Sequence, residues 1–267
     1  MVLDAGHGGN DPGAIGQIMQ EKKINLSVVL LLGEMIERNN PDVKVVYTRK
    51  TDVFIPLQER AQIANNAHAD LFVSIHVNAS KNKEAFGTET YTLGLTKSKS
   101  NLDVAMRENS VILLESDYKE KYKGFDPQSV DSYIMFEFMQ DKYIDKSIGI
   151  ASDIQHYFVR NAKRKDRGVR QAGFWVLHKT AMPSVLVELG YISNSEEEKY
   201  LSTIEGQKQM ADAIYLAFLK FKHEHEKKSS KLSQDIIVNQ GDVGIGNDSG
   251  LSSEVSVQQN QAPSLIA

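Results

Sequence analysis

Apolar positions along this chain switch repeatedly between helical and strand-like spacing. From 22 to 39, Ile24, Leu26, Val29, Leu30, Leu32, Met35 and Ile36 recur as on a helix with one buried face, and Pro41-Asp42 ends the run. Residues 43–47 are rich in β-branched side chains and read as a strand; residues 57–67, opened by Pro56, read as a helix. The near-continuous apolar stretch 71–75 is what a strand covered on both faces requires. Further strands are expected at 88–93, 174–177 and 185–187, and further helices at 145–161, 196–200 and 205–221.

Strands alternating with helices predict an α/β fold in three layers, with a largely parallel or mixed sheet of about six strands flanked by helices. Ligands in such folds bind beyond the carboxyl ends of strands, and His7, His76 and Glu188 each fall at that end of a predicted strand. Residues 95–144 form a connection far longer than usual, which marks a functional insertion. Within it, Ser100 followed by Asp103 resembles a helix start, and Leu102, Ala105, Met106, Asn109, Ile112 and Leu113 share a face. A second apolar stretch, 133–139, is expected to pack the insertion onto the domain. From 223 onward the chain turns polar, so the expected division is a domain over 1–222 and a disordered tail or linker over 223–267.

Composition narrows the chemistry. Apolar residues make up 41%, enough for a sizeable core, and 31 basic against 35 acidic side chains leave no basic footprint for nucleic acid. The basic run 163–167 is expected to be a solvated helix end, and His223-Glu224-His225-Glu226 lacks the spacing of a zincin motif. No cysteine is present, so any metal must be held by imidazole and carboxylate. The longest apolar run, 28–32, is far too short to span a membrane. The chain starts inside its first predicted strand, so a leader is expected to have been removed and its absence does not indicate cytoplasmic residence.

A hydrolytic zinc site takes three protein ligands and leaves a fourth position for water, and a separate carboxylate moves the proton. His7, Glu21 and His76 can supply the first set and Glu188 the second. Taken singly, His7 is equally well a turn residue, Glu21 a first-turn carboxylate favoured by the helix dipole, and His76 a satisfied core histidine.

Four ordered blocks alter that balance: 3–9 (Leu-Asp-Ala-Gly-His-Gly-Gly), 21–26 around Glu21, 69–79 around His76 and 187–194 around Glu188. With 47–52 and 60–65, they resemble the zinc-dependent N-acetylmuramoyl-L-alanine amidases of the Amidase_3 family over residues 1 to about 221. The resemblance implies Zn2+ on His7, Glu21 and His76, with Glu188 as catalytic glutamate. It implies peptidoglycan as substrate, cleaved between the lactyl group of N-acetylmuramic acid and L-alanine, and an extracytoplasmic envelope location such as the periplasm. Some regulated members carry an insertion in this place that covers the zinc until an activator protein displaces it. The resemblance therefore implies Glu108, in Arg107-Glu108-Asn109-Ser110, as an inhibitory ligand, with Glu115 as the alternative donor. Asn78 is a candidate either for substrate contact or for holding the loop after His76, and Arg170 either for a substrate carboxylate or for a structural role; Arg49 and Arg60 are expected to anchor the scaffold through ion pairs, and His178 to end a strand. Two other readings stand beside this one: a non-catalytic peptidoglycan-binding or activator domain on the same fold, and a zinc peptidase. The intact key positions argue against the first, and product analysis separates the second.

Overall fold

The computed structural model describes residues 1–96, 98–138 and 142–241. The chain forms two units, Met1–His223 and Glu224–Ala267. The first contains one sheet of six strands: β1 (Val2–Ala5), β2 (Val46–Tyr47), β3 (Phe72–Asn78), β4 (Thr88–Leu93), β5 (Asp166–Ala172) and β6 (Ser184–Tyr191), in the spatial order β2-β1-β3-β6-β4-β5. All neighbours are parallel except β4 and β6. The helices are α1 (Glu21–Asn39), α2 (Leu57–Asn66), α3 (Lys99–Asn109), α4 (Tyr118–Lys121), α5 (Ile144–Arg160), α6 (Trp175–His178), α7 (Ser195–Leu201) and α8 (Ile204–Gly241), and those of the first unit, with the part of α8 up to His223, flank the sheet. This is the expected mixed, mostly parallel α/β arrangement.

Strand alternation divides the core into two layers. Val73, Ile75 and Val77 of β3, with Val185, Val187 and Leu189 of β6, pack against Ile24, Val28 and Leu32 of α1, Phe158 of α5 and Phe218 of α8. On the opposite face Phe72, Leu186 and Tyr91 meet Ala64 of α2, Trp175 of α6 and the insertion. Each large apolar side chain buried this way contributes about 1.5–3 kcal/mol. The second face carries the polar residues at its carboxyl end, since His76 and Asn78 alternate with the apolar side chains of β3. A bulge keeps that face polar to the end of β6: His76 aligns with Glu188 but Asn78 with Tyr191, so β6 holds one extra residue there.

The structure corrects several sequence expectations. Of residues 174–177, read as a strand, Phe174 precedes α6 and the other three lie within it, and His178 ends that helix; short apolar runs do not distinguish the two. The fifth strand is β5, whose Asp, Arg, Gly and Gln residues hide the alternation; it is an edge strand, where charge discourages further pairing. Basic residues 163–167 consequently lead into β5 instead of forming only a solvated helix end. In the second unit, the helical backbone of α8 continues past 223 to Gly241, where the polar composition suggests a tail; 242–267 lie outside the described residues.

The insertion joins β4 to α5. Its first helix, α3, is capped by Ser98, whose hydroxyl accepts from the Asn101 amide, two positions before the expected start. Its buried stripe is Asn101, Val104, Ala105, Glu108 and Asn109, rotated from the apolar stripe of the sequence, so Leu113 beyond it is exposed and Glu108 faces inward. Asn109 ties the helix down by donating to the Gly173 carbonyl (2.8 Å) and accepting from the Trp175 amide (2.9 Å). Phe125 stacks on Trp175 at 4.8 Å between centroids, and Tyr133 and Phe136 complete the aromatic cluster. The 133–139 stretch thus packs the insertion as expected through Tyr133 and Phe136; position 139 lies outside the described residues.

Candidate metal centre

The loop after β1 delivers His7 in a left-handed backbone conformation (φ 63°), unusual for a non-glycine residue. Two buried arginines hold it. Arg60 donates to the carbonyls of Ala5 and His7 and to Asp4, while Arg49 donates to the carbonyls of Ala5 and Gly6. Asp4 also accepts from Thr48 and Ser74. The expected ion-pair anchoring therefore applies to Arg60; Arg49 anchors through carbonyl oxygens. Gly6 is required because a Cβ there would lie 2.4 Å from the His76 ring, and at Gly13 (φ 66°) it would lie 2.7 Å from Glu21 and His7.

His7, Glu21, His76 and Glu108 form one buried cluster. His7 Nε2 stands 3.1 Å from both Glu21 Oε1 and Glu108 Oε2; His76 Nδ1 stands 3.1 and 3.0 Å from the same atoms. Four donors about 2.0–2.1 Å from a tetrahedral zinc would be about 3.3 Å apart, so the spacing suits that ion. His7 Nε2 and Glu108 Oε2 are buried without a hydrogen-bond partner, as atoms directed at a common cation would be. Supporting contacts fix the donors: His7 Nδ1 bonds Asp11 Oδ2 at 2.6 Å, and Glu21 accepts from the Ala14 and Val77 amides. Burial alone would lower both imidazoles, but the facing carboxylates outweigh it: His7 is raised well above its ordinary value, mainly by Glu21, and His76 to about 9, mainly by Glu108. With both imidazoles neutral, the form that ligates metal, the two carboxylates leave the cluster two negative charges that a divalent cation would balance.

Glu188 lies beside His76 in register on β6, fully buried, and neither of its carboxylate oxygens has a hydrogen-bond partner. Burial, then the nearby Glu108, pushes its carboxyl well above the usual range. Arg107 crosses the site from α3. Its Nη2 is 2.7 Å from Glu108 Oε1 and 3.5 Å from Glu188 Oε1, and its Nη1 donates to Asn78 Oδ1 and the Ala79 carbonyl.

The structure thus brings His7, Glu21, His76, Glu108, Glu188 and Asn78 together. Glu115 is elsewhere: it takes Lys121 Nζ and Tyr122 OH, both at 2.5 Å, and is not a donor to the cluster. Arg170 contacts Asn101, the Arg167 carbonyl and Glu89. Sequence reasoning assigned no role to Arg107 or Glu89. The signal for Glu89 was a lone charge in an otherwise uncharged strand, and Arg107 was visible only as a neighbour of Glu108.

A buried pair of imidazoles with carboxylates at the carboxyl edge of a mostly parallel sheet, beside a further carboxylate without a hydrogen-bond partner, defines a zinc-type amidohydrolase centre. Residues 1–220 match the family model of Amidase_3, N-acetylmuramoyl-L-alanine amidase. The chain is 33% identical over 236 residues to N-acetylmuramoyl-L-alanine amidase AmiA of Escherichia coli, covering 86% of this chain and 79% of AmiA. It is 35% identical over 221 residues to AmiC of Escherichia coli, covering 80% of this chain but only half of AmiC. The crystal structure of an N-acetylmuramoyl-L-alanine amidase from Clostridium difficile 630 superposes with a TM-score of 0.63 at 28% identity, covering 83% of this chain and 95% of that one. The chain belongs to the Amidase_3 family, the N-acetylmuramoyl-L-alanine amidases that hydrolyse peptidoglycan.

Proposed function

We propose that this chain cleaves the amide between the lactyl group of N-acetylmuramic acid and L-alanine, with His7, Glu21 and His76 as zinc ligands and Glu188 as proton carrier. The observation that carries the reading is Glu188: a fully buried carboxylate without a hydrogen-bond partner, in register with a ligand histidine. Bound zinc supplies Lewis acidity toward the attacking water and the lactyl carbonyl. Glu188 takes a proton from that water as the new C–O bond forms. It returns the proton to the alanine nitrogen as the C–N bond breaks, leaving a lactyl carboxylate and a stem peptide with a new amino terminus. His7, Glu21 and His76 are held by strand ends and backbone amides, so little reorganisation accompanies the step.

Glu108 is the fourth donor of the cluster, and with it seated the place needed by the nucleophile is filled. The insertion, 95–144, therefore acts as a self-inhibitory element of a domain spanning 1–222. Its removal is the task of an activator protein, and the substrate places the enzyme in the cell envelope. No described helix is long and apolar enough to cross a membrane.

Purified peptidoglycan incubated with the zinc-loaded chain is expected to release peptides beginning with L-alanine, and the release should stop with Glu188→Ala or a chelator. Full activity in both controls would overturn the mechanism, and products cut elsewhere in the stem would favour a peptidase. Glu108→Ala and a variant lacking 100–143 are expected to release more than the intact chain; equal release by all three would exclude self-inhibition.

A further inference from the structure

Asn78 Oδ1 and the Ala79 carbonyl, adjacent at the end of β3, share a single donor: Arg107 Nη1, at 3.0 and 2.8 Å. Both acceptors belong to the sheet, and the donor belongs to the insertion. The Asn78 amide is held in one orientation, because its Nδ2 donates to Glu89 Oε2 at 3.0 Å. Glu89 is 2% exposed and also accepts from Arg167 Nε (2.8 Å), Tyr191 OH (2.7 Å) and Tyr91 OH (2.8 Å). Surrounded by donors, its carboxylate acts as acceptor only, so the Asn78 NH2 must face it and Oδ1 must face the site. A reversed amide would set oxygen against carboxylate and NH2 against guanidinium, losing two charge-assisted hydrogen bonds. Glu89 reaches this position because β4 runs antiparallel to β6 and pairs Glu89 with Glu188.

We propose that Asn78 Oδ1 and the Ala79 carbonyl form a subsite for backbone N–H donors of the stem peptide, oriented by Glu89, and that Arg107 fills it as a substrate mimic while α3 is seated. The proposal rests on the amidase reading above. The subsite adjoins the reacting centre, since the guanidinium that fills it also approaches Glu188 Oε1 at 3.5 Å. When Arg107 leaves, these oxygens lose that donor, and a substrate N–H can take its place. A peptide entering beside Glu188 brings N–H groups to the same place. Glu89 is a positioning residue: it acts on substrate through Asn78.

The test uses chelator-treated protein, so that binding is read without turnover. The probes are N-acetylmuramoyl-L-alanyl-D-isoglutamine and, as the ligand lacking peptide N–H groups, N-acetylmuramic acid, both titrated calorimetrically. Arg107→Ala is expected to tighten the dipeptide about tenfold, the scale of one charge-assisted hydrogen bond, and to leave N-acetylmuramic acid unchanged. In that background Asn78→Asp, which faces Glu89 with a second carboxylate, should abolish the gain. Adding Glu89→Gln, whose amide can donate to the new carboxylate, should restore it; a purely structural role for Glu89 would give no such rescue. Unchanged dipeptide affinity in Arg107→Ala, an equal gain for both probes, or absence of rescue would overturn the proposal. If such a result accompanies release of L-alanine termini from peptidoglycan by the zinc-loaded chain, the subsite alone falls; if no such termini are released, the amidase reading falls with it.

Discussion

The sheet rim and the insertion meet at one cluster of side chains, yet they are held in different ways. At the rim, His7, Glu21 and His76 are fixed by backbone and by buried charge: Arg60 and Arg49 grip the carbonyls of the loop after β1, and Asp4 anchors Arg60 beneath it. The insertion consists of short helices joined to the sheet by Asn109, an aromatic cluster and the pair Arg107–Glu108, with Leu113, Leu114, Val130, Ile134 and Met135 left exposed. The contrast teaches a division of labour. The candidate ligands sit beside strand ends and at the start of α1, fixed by backbone groups and buried charge, whereas the insertion reaches them through side chains.

Changes at four positions probe that contrast, in order of expected size. Glu188→Gln removes the proposed proton carrier without changing shape, and peptide release from peptidoglycan is expected to fall by about 10²–10⁴-fold with an unchanged melting temperature and zinc content. Asp4→Ala breaks the buried pair with Arg60 and should cost about 3–5 kcal/mol in denaturant unfolding, destabilising the whole first unit. Burial opposes ionisation of Asp4, but Arg60, Ser74 and Thr48 outweigh it and hold the carboxyl below its ordinary 3.8. Because the folded value is the lower one, this stabilisation is complete above pH 3.8 and is lost as pH falls toward the folded value, so Asp4→Asn should flatten that part of the acid-unfolding curve.

Phe136→Ala should act on the other region. Loss of this buried ring costs about 3 kcal/mol or more; hydrogen exchange is expected to rise across 98–138 while β1 and β3 stay protected, and peptide release should increase. If β1 and β3 lost protection equally, insertion and rim would be one cooperative unit. Ser98→Ala removes the cap of α3 and is expected to cost only about 1 kcal/mol, seen as a slight increase in exchange confined to 98–109.

Much of the rim was legible in the sequence because its parts are local: a glycine-flanked histidine after a strand, a carboxylate opening a helix, a histidine closing an apolar run. The insertion was less so. Glu108 sits on a stripe whose apolar members suggest a face rotated away from it, so periodicity alone pointed elsewhere, and only the family resemblance singled it out. β5 escaped because an edge strand with charged residues has no alternation to read, while the apolar 174–177 imitated a strand. Glu89 and Arg107 draw their meaning from partners distant in sequence, Asn78 and Glu188, which only the paired strands bring near.

The extra residue in β6 sets the phase of everything beyond it. Val187 and Leu189 point into the layer beneath α1 and α8, and uninterrupted alternation would send Tyr191 after them. Instead Ile192 takes the next place in that layer, and Tyr191 crosses to put its hydroxyl on Glu89. The bulge therefore places a phenol instead of an aliphatic side chain on the catalytic side while leaving the composition of the strand unchanged. The same β6 sequence paired without the bulge would reverse the exchange, burying a hydroxyl among aliphatic groups and withdrawing one donor from the carboxylate that orients Asn78. Here strand register, counted to one residue, carries chemical information that no motif of residue types records.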